Sequence, residues 1–80
     1  MYCVYALKSE SINYIYVGLT NHLQRRMNEH NKGYNKSTKP YRPFVLIHHE
    51  YFELRTDARK QEKYLKSGIG KEWLKKNIIF

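Results

Sequence analysis

Residues 1–19 read MYCVYALKSESINYIYVGL, and the order of residue types in that stretch sets the architecture. Met1 to Leu7 concentrate Tyr, Val and Cys, the polar run Ser9 to Asn13 interrupts, and Tyr14 to Leu19 resume with Tyr, Ile and Val. Two β-prone runs joined by a short polar stretch predict a β-hairpin, because branched and aromatic side chains suit a pleated surface. Side chains alternate faces along a strand. Tyr5, Tyr14 and Tyr16 can therefore contribute to one face while Val4, Ile15 and Val17, the better core residues, contribute to the other. Gly18 inside the second run marks a bulge or a close approach by ligand or backbone.

Beyond the hairpin, Asn21 is a suitable N-cap for a helix over HLQRRMNEHNK, which Gly33 stops. The segment from Lys32 to Arg42 combines Gly, Asn, Ser, Thr and Pro with Lys32, Lys36, Lys39 and Arg42 and has no apolar period, so it reads as a cationic surface loop. FVLIHHEYF, residues 44–52, predicts a third strand. Thr56 can cap a helix from Asp57 to Ser67 with Gly68 at its end, and Gly70 precedes a last short helix, KEWLKKN. The order is β-β-α-β-α-α. It favours an α+β fold with a small three-stranded, mainly antiparallel sheet flanked by helices. Eighty residues make residues 1–80 one domain by size.

Fifteen Lys and Arg against seven Asp and Glu give a net charge of +8, which makes polyanions the natural partners unless the charge serves solubility alone. Cys3 stands alone, so neither an intrachain disulfide nor a thiolate metal cluster can form, and its apolar neighbours point to burial. No run approaches the ~20 apolar residues of a membrane span, and the first residues lack a signal-peptide pattern. The expectation is a soluble cytoplasmic protein with no membrane partner. A chain of this size spends most of its apolar residues on its core, leaving few for a separate cofactor pocket.

Three polar residues fall where the helical pattern calls for apolar ones. Arg26 and His30 border the stripe of Leu23 and Met27 on the first helix, and Glu62 lies on the face shared by Ala58, Leu65 and Ile69 on the second. Arg26 can snorkel to water, and His30 can be a hydrogen-bonded residue at the core edge. Glu62 needs a partner, because an isolated buried charge costs several kcal/mol. That partner is Arg26, a tyrosine hydroxyl, or a divalent metal ion.

VYA at Val4 to Ala6 and YVG at Tyr16 to Gly18 resemble the paired tripeptides that name the GIY-YIG nuclease family. LTNHLQRRMNEHN resembles the family's helix, with its arginine at Arg26 and a frequent histidine at His30, and ARKQEKYLK resembles the later helix with its glutamate at Glu62. The order of Tyr, Tyr-x-Gly, Arg, His and Glu runs through nearly the whole chain and is similar to the short single-domain members. Cys3-Val4-Tyr5 departs from Gly-Ile-Tyr, so only Tyr5 carries over. Leu19 stands where several family nucleases have a lysine or another polar residue that assists the first tyrosine.

The resemblance implies a metal-dependent endonuclease, acting on DNA more readily than RNA. Tyr5, Tyr16, Arg26, His30 and Glu62 would be its catalytic residues, with Glu62 holding one Mg²⁺ or Mn²⁺ ion. A phenol with a pKa near ~10 is a weak base at neutral pH, so Tyr5 needs positive charge beside it, from Arg26 or the metal. Gly18, Lys32, Lys36, Lys39 and Arg42 are the expected nucleic-acid contacts. The alternative is a basic nucleic-acid-binding module with the same fold and no turnover.

Overall fold

In a computed structural model describing residues 1–79, the hairpin forms from strands β1 (Tyr2–Ser9) and β2 (Ile15–Thr20). They pair antiparallel with Tyr5 opposite Gly18 and Leu7 opposite Tyr16. Ser9 builds the turn: its hydroxyl oxygen accepts from the backbone N–H of Ser11 at 3.1 Å and of Ile12 at 3.2 Å. Strand β3 (Phe44–Phe52) pairs antiparallel with the other side of β1, giving the order β2-β1-β3. The helices are α1 (Leu23–Lys32), α2 (Arg55–Lys66) and α3 (Gly68–Leu74), with a 3-10 turn at Lys39–Tyr41 and a π-helical segment at Lys75–Ile79 that follows α3. This is the α+β order read from the sequence.

The alternation of side chains fills two cores, one on each face of the sheet. Val4, Ala6, Ile15 and Val17 pack with Ala58, Leu65 and Leu74 on the side of α2 and α3. Cys3, Tyr5, Leu7 and Phe44 pack with Tyr14, Tyr16, Leu23 and Met27 on the side of α1. Tyrosines and valines thus separate by face as the period of two requires. Helices cover both faces, so the tyrosine face is itself largely buried.

Helix ends differ from the expectation in three places. His22, not Asn21, caps α1, its Nδ1 accepting from the backbone N–H of Arg25 at 3.2 Å. Helix α2 begins at Arg55, so Thr56 lies inside its first turn, and no side chain caps it. Extended backbone at Ser67 ends α2, and the Ser67 hydroxyl caps α3 by accepting from Gly70 N–H at 3.1 Å, which puts Gly68 and Gly70 inside α3. That break carries Ile69 off the inward face it would share with Leu65 on a continuous helix, leaving it 74% exposed. Gly33 ends α1 as expected, in the left-handed region at φ 80°. Among the described residues no helix is long and apolar enough to cross a membrane.

Candidate active site

Tyr5 lies at the middle of β1 under α1 and is 1% exposed. Its phenol occupies the space over Gly18: a Cβ at that position would stand 2.5 Å from the Tyr5 hydroxyl oxygen and 3.0 Å from the Tyr16 ring. The close approach that Gly18 permits is thus made by Tyr5. Tyr16 is half-buried beside it, the two ring centres 6.2 Å apart. Helix α1 lays Arg26 and, one turn later, His30 across the pair. His30 Nε2 is 3.0 Å from the Tyr5 hydroxyl, and Nδ1 is 2.9 Å from the Thr38 hydroxyl.

Burial pushes the Tyr5 phenol well above the ordinary tyrosine value; Tyr16 adds to the rise, while a hydrogen bond and positive charge from Arg26 oppose it. Burial also lowers the His30 pKa from 6.5, with Arg26 lowering it further and Glu29 opposing. The folded state therefore resists protonating His30 where the unfolded chain does not. Stability is unaffected by this residue above pH ~6.5 and is lost as the pH falls from there toward the depressed folded value. The melting temperature is expected to drop on going from pH 7 to pH 5, and His30→Gln is expected to flatten that part of the profile; an equally steep drop in the variant would place the titration elsewhere.

A cleft of about 390 Å³ opens at the end of β2. Thr20, Asn21, Arg25, Arg26 and Glu29 line one wall, and Tyr2, Arg55, Arg59 and Glu62 line the other. Helices α1 and α2 lie on opposite faces of the sheet, and the cleft straddles the β2 edge between them. Arg26 and Glu62 therefore share one cavity. Tyr5, Tyr16 and His30 do not line it; they lie behind Arg26 on the α1 side. Glu62, 5% exposed, pairs with Arg59 at 2.9 Å and Lys66 at 3.1 Å, not with Arg26 or a tyrosine. Arg26 pairs with Glu29 at 2.9 Å.

Arg25, Arg55 and Arg59 were not among the sequence-derived candidates. Arg55, Arg59 and Glu62 are spaced i, i+4 and i+7, the signature of one helix face. Among the described residues Arg25 and Arg55 have no carboxylate within ion-pairing distance. Lys32, Lys36, Lys39 and Arg42 do not line the cleft. Their loop is fastened at the far end of β1, where the Ser9 hydroxyl donates to the Tyr41 carbonyl and Tyr14 stacks on Tyr41. Helix α1 joins the two basic regions, running from Arg25 and Arg26 at the cleft to Lys32 at the loop, about 9 Å along its axis from Arg26 to Lys32.

No three His, Cys, Asp or Glu side chains gather into a metal cage among the described residues. The cleft offers instead one inward carboxylate, Glu62, on which two cationic side chains already converge. A hard divalent ion that keeps most of its waters and takes a single protein oxygen fits this donor set. Arg59 and Lys66, both about half exposed, have room to swing aside.

A cleft with four arginines around two carboxylates, beside a buried tyrosine–histidine pair, is chemistry suited to a phosphate ester. The family model described as the GIY-YIG catalytic domain matches residues 1–76, which makes this a nuclease-type hydrolase domain of a nucleic-acid-binding class. The chain belongs to the GIY-YIG family. It is 44% identical over 63 residues to a UPF0213 protein of Listeria innocua, covering 78% of this chain and 69% of that one. A UPF0213 protein of Clostridium perfringens is 38% identical over 64 residues, covering 79% and 68%. One of Staphylococcus haemolyticus is 34% identical over 73 residues, covering 90% and 88%. No solved structure matches the chain significantly.

Proposed function

We propose that the protein is a metal-dependent endonuclease that hydrolyses nucleic-acid phosphodiester bonds in the cytoplasm, with DNA favoured on the family likeness. The observation that carries this reading is the single cleft shared by Arg26 and Glu62, with the Tyr5–His30 pair directly behind Arg26. Hydrolysis needs a water relieved of its proton, charge stabilisation on the phosphate, and help for the leaving oxygen.

Each step falls to a named group. Arg26 exchanges its bond to Glu29 for the phosphate oxygens, a charge-assisted contact of the kind guanidinium forms best. Tyr5 takes a proton from the attacking water as its own hydroxyl proton moves to His30 Nε2, so the hydroxide that attacks phosphorus is balanced by an imidazolium. Burial of Tyr5 leaves Tyr16 and Arg26 in control of the approach to it, and Tyr16 orients the water. Glu62 would hold one Mg²⁺ or Mn²⁺ ion, which supplies charge neutralisation at the leaving oxygen. Arg25 and Arg55 bind flanking phosphates, and the loop carrying Lys32, Lys36, Lys39 and Arg42 meets the same backbone farther along.

A second reading, a binding module without turnover, draws support from the two cations that already hold Glu62. Cleavage of a panel of DNA and RNA substrates with divalent ions separates the two. Salt dependence locates the binding surface. Each lost phosphate contact lowers the log-log slope by roughly 0.7–0.9, so Arg25→Ala with Arg55→Ala is expected to lower it by roughly 1.5. Lys36→Ala, Lys39→Ala and Arg42→Ala together are expected to lower it by roughly 2 to 3. An unchanged slope in the triple variant confines binding to the cleft.

A further inference from the structure

We propose that Thr38 is a positioning residue: its buried hydroxyl holds His30 with the ring proton on Nδ1, leaving Nε2 free to take the proton of Tyr5. The chemical consequence rests on the nuclease reading, whereas the hydrogen-bond arrangement stands without it.

A neutral imidazole carries one proton, and the neighbours at both ends of the ring decide where it sits. At the inner end, Thr38 Oγ1 lies 2.9 Å from His30 Nδ1 and donates to the Asn35 carbonyl at 3.3 Å. A hydroxyl has one proton to give, so once it is given to Asn35 the Thr38 oxygen receives Nδ1–H. At the outer end, the Tyr5 oxygen lies 3.0 Å from His30 Nε2, and the positive charge of Arg26 acts on the same phenol. Guanidinium is positive and only donates. It favours the Tyr5 lone pairs on its side, and an Nε2 without a proton accepts the Tyr5 hydroxyl proton. Both ends select the same tautomer, in the chain Tyr5 O–H to His30 Nε2, His30 Nδ1–H to Thr38, and Thr38 O–H to Asn35.

The loop is built to hold this position. Thr38 and His30 are fully buried. The Asn35 side-chain oxygen accepts from Ser37 N–H at 3.0 Å and from the Ser37 hydroxyl at 2.7 Å, and the Asn35 carbonyl accepts from Lys39 N–H at 2.9 Å. The outer side of the loop is thus cationic while its inner side supports the tyrosine. This also supplies Tyr5 with a partner that does not depend on the residue after YVG, which is Leu19. In the proton transfer the Tyr5 O–H bond breaks and an Nε2–H bond forms; Nδ1 keeps its proton, and the imidazolium is stabilised by the Thr38 oxygen. The excess proton leaves to bulk water after the product departs. The titratable and charged groups around His30 are Tyr5 from β1, Tyr16 from β2, and Arg26 and Glu29 from α1; β3 contributes Phe44 at a ring distance of 6.1 Å.

The test is long-range ¹⁵N–¹H NMR of the His30 ring in the wild type, Thr38→Val and Thr38→Ser, with melting curves and, on any substrate the wild type cuts, pH–rate profiles. The wild type and Thr38→Ser are expected to show Nδ1–H, and Thr38→Val to shift toward Nε2–H. Loss of the oxygen that accepts Nδ1–H also makes His30 less basic, so the acid limb of the Thr38→Val rate profile is expected to move to lower pH while its plateau falls roughly tenfold, with Thr38→Ser restoring both. Nε2–H in the wild type overturns the proposal, and so does a Thr38→Val protein with unchanged tautomer or unchanged plateau. If Thr38→Val fails to fold, the wild-type tautomer still decides. If the wild type cuts nothing yet the tautomers behave as expected, the nuclease reading falls and the positioning role of Thr38 stands.

Discussion

Glu62→Gln is expected to lower cleavage by roughly 10²–10³-fold while leaving nucleic-acid affinity in place. Glutamine keeps the shape of the inward side chain beside Ala58 and Leu65 and removes only the charge that would hold a cation. Arg59 and Lys66 lose their shared partner, but both are about half exposed and can turn to water, while the neutral amide no longer carries a buried charge. The cleft becomes more positive, so a polyanion binds at least as well. Cleavage rates and binding isotherms on the same substrate check the split. Equal cutting by wild type and variant would remove Glu62 from the chemistry.

Gly70→Ala is expected to destabilise the fold by roughly 2–4 kcal/mol, a fall in melting temperature of roughly 10–25 °C for a domain of this size. Helix α3 turns back onto the last turn of α2 so closely that a Cβ at Gly70 would overlap the Tyr64 carbonyl oxygen and crowd the Leu65 backbone. Backbone cannot swing away as a flexible side chain can. Gly68 is the control in the same helix: nothing lies within 4 Å of a Cβ there, so Gly68→Ala is expected to leave the melting temperature unchanged or slightly raised. Thermal melts of the two variants side by side measure the difference; equal melts would contradict the close packing of α2 and α3.

Element order and the separation of faces were legible because β propensity and the period of two are local properties: Val4 and Tyr5 had to separate whatever the rest of the chain did. Glu62 was legible for the same reason, since an acidic residue between Ala58 and Leu65 cannot avoid the inner face. Helix ends were less so. The imidazole of His22 does the capping that Asn21 was expected to do, and Ser67 divides α2 from α3 by a backbone turn that composition alone does not reveal. Ile69 was misplaced in consequence.

The site divides similarly. Arg26 and His30 were found from helical spacing, but their partners depend on contacts between elements distant in the chain. His30 meets Tyr5 across 25 positions and Thr38 across a loop whose charge drew attention to its outer side. Arg25 and Arg55 escaped notice because each is an ordinary exposed arginine until the β2 edge brings the two helices to one cleft. Gly18 shows a right signal with a different cause: the close approach is real, and the group that approaches is the Tyr5 phenol.

The most direct test of the endonuclease reading is incubation of the purified protein with duplex, single-stranded and branched DNA and the matching RNAs, with Mg²⁺, Mn²⁺ or EDTA, scored for both binding and internal cuts. The expected result is internal cleavage of at least one DNA substrate that needs a divalent ion and is lost in Glu62→Gln. Binding across the panel with no cut under any ion, by protein that melts cooperatively, would contradict it and leave a nucleic-acid-binding module in its place.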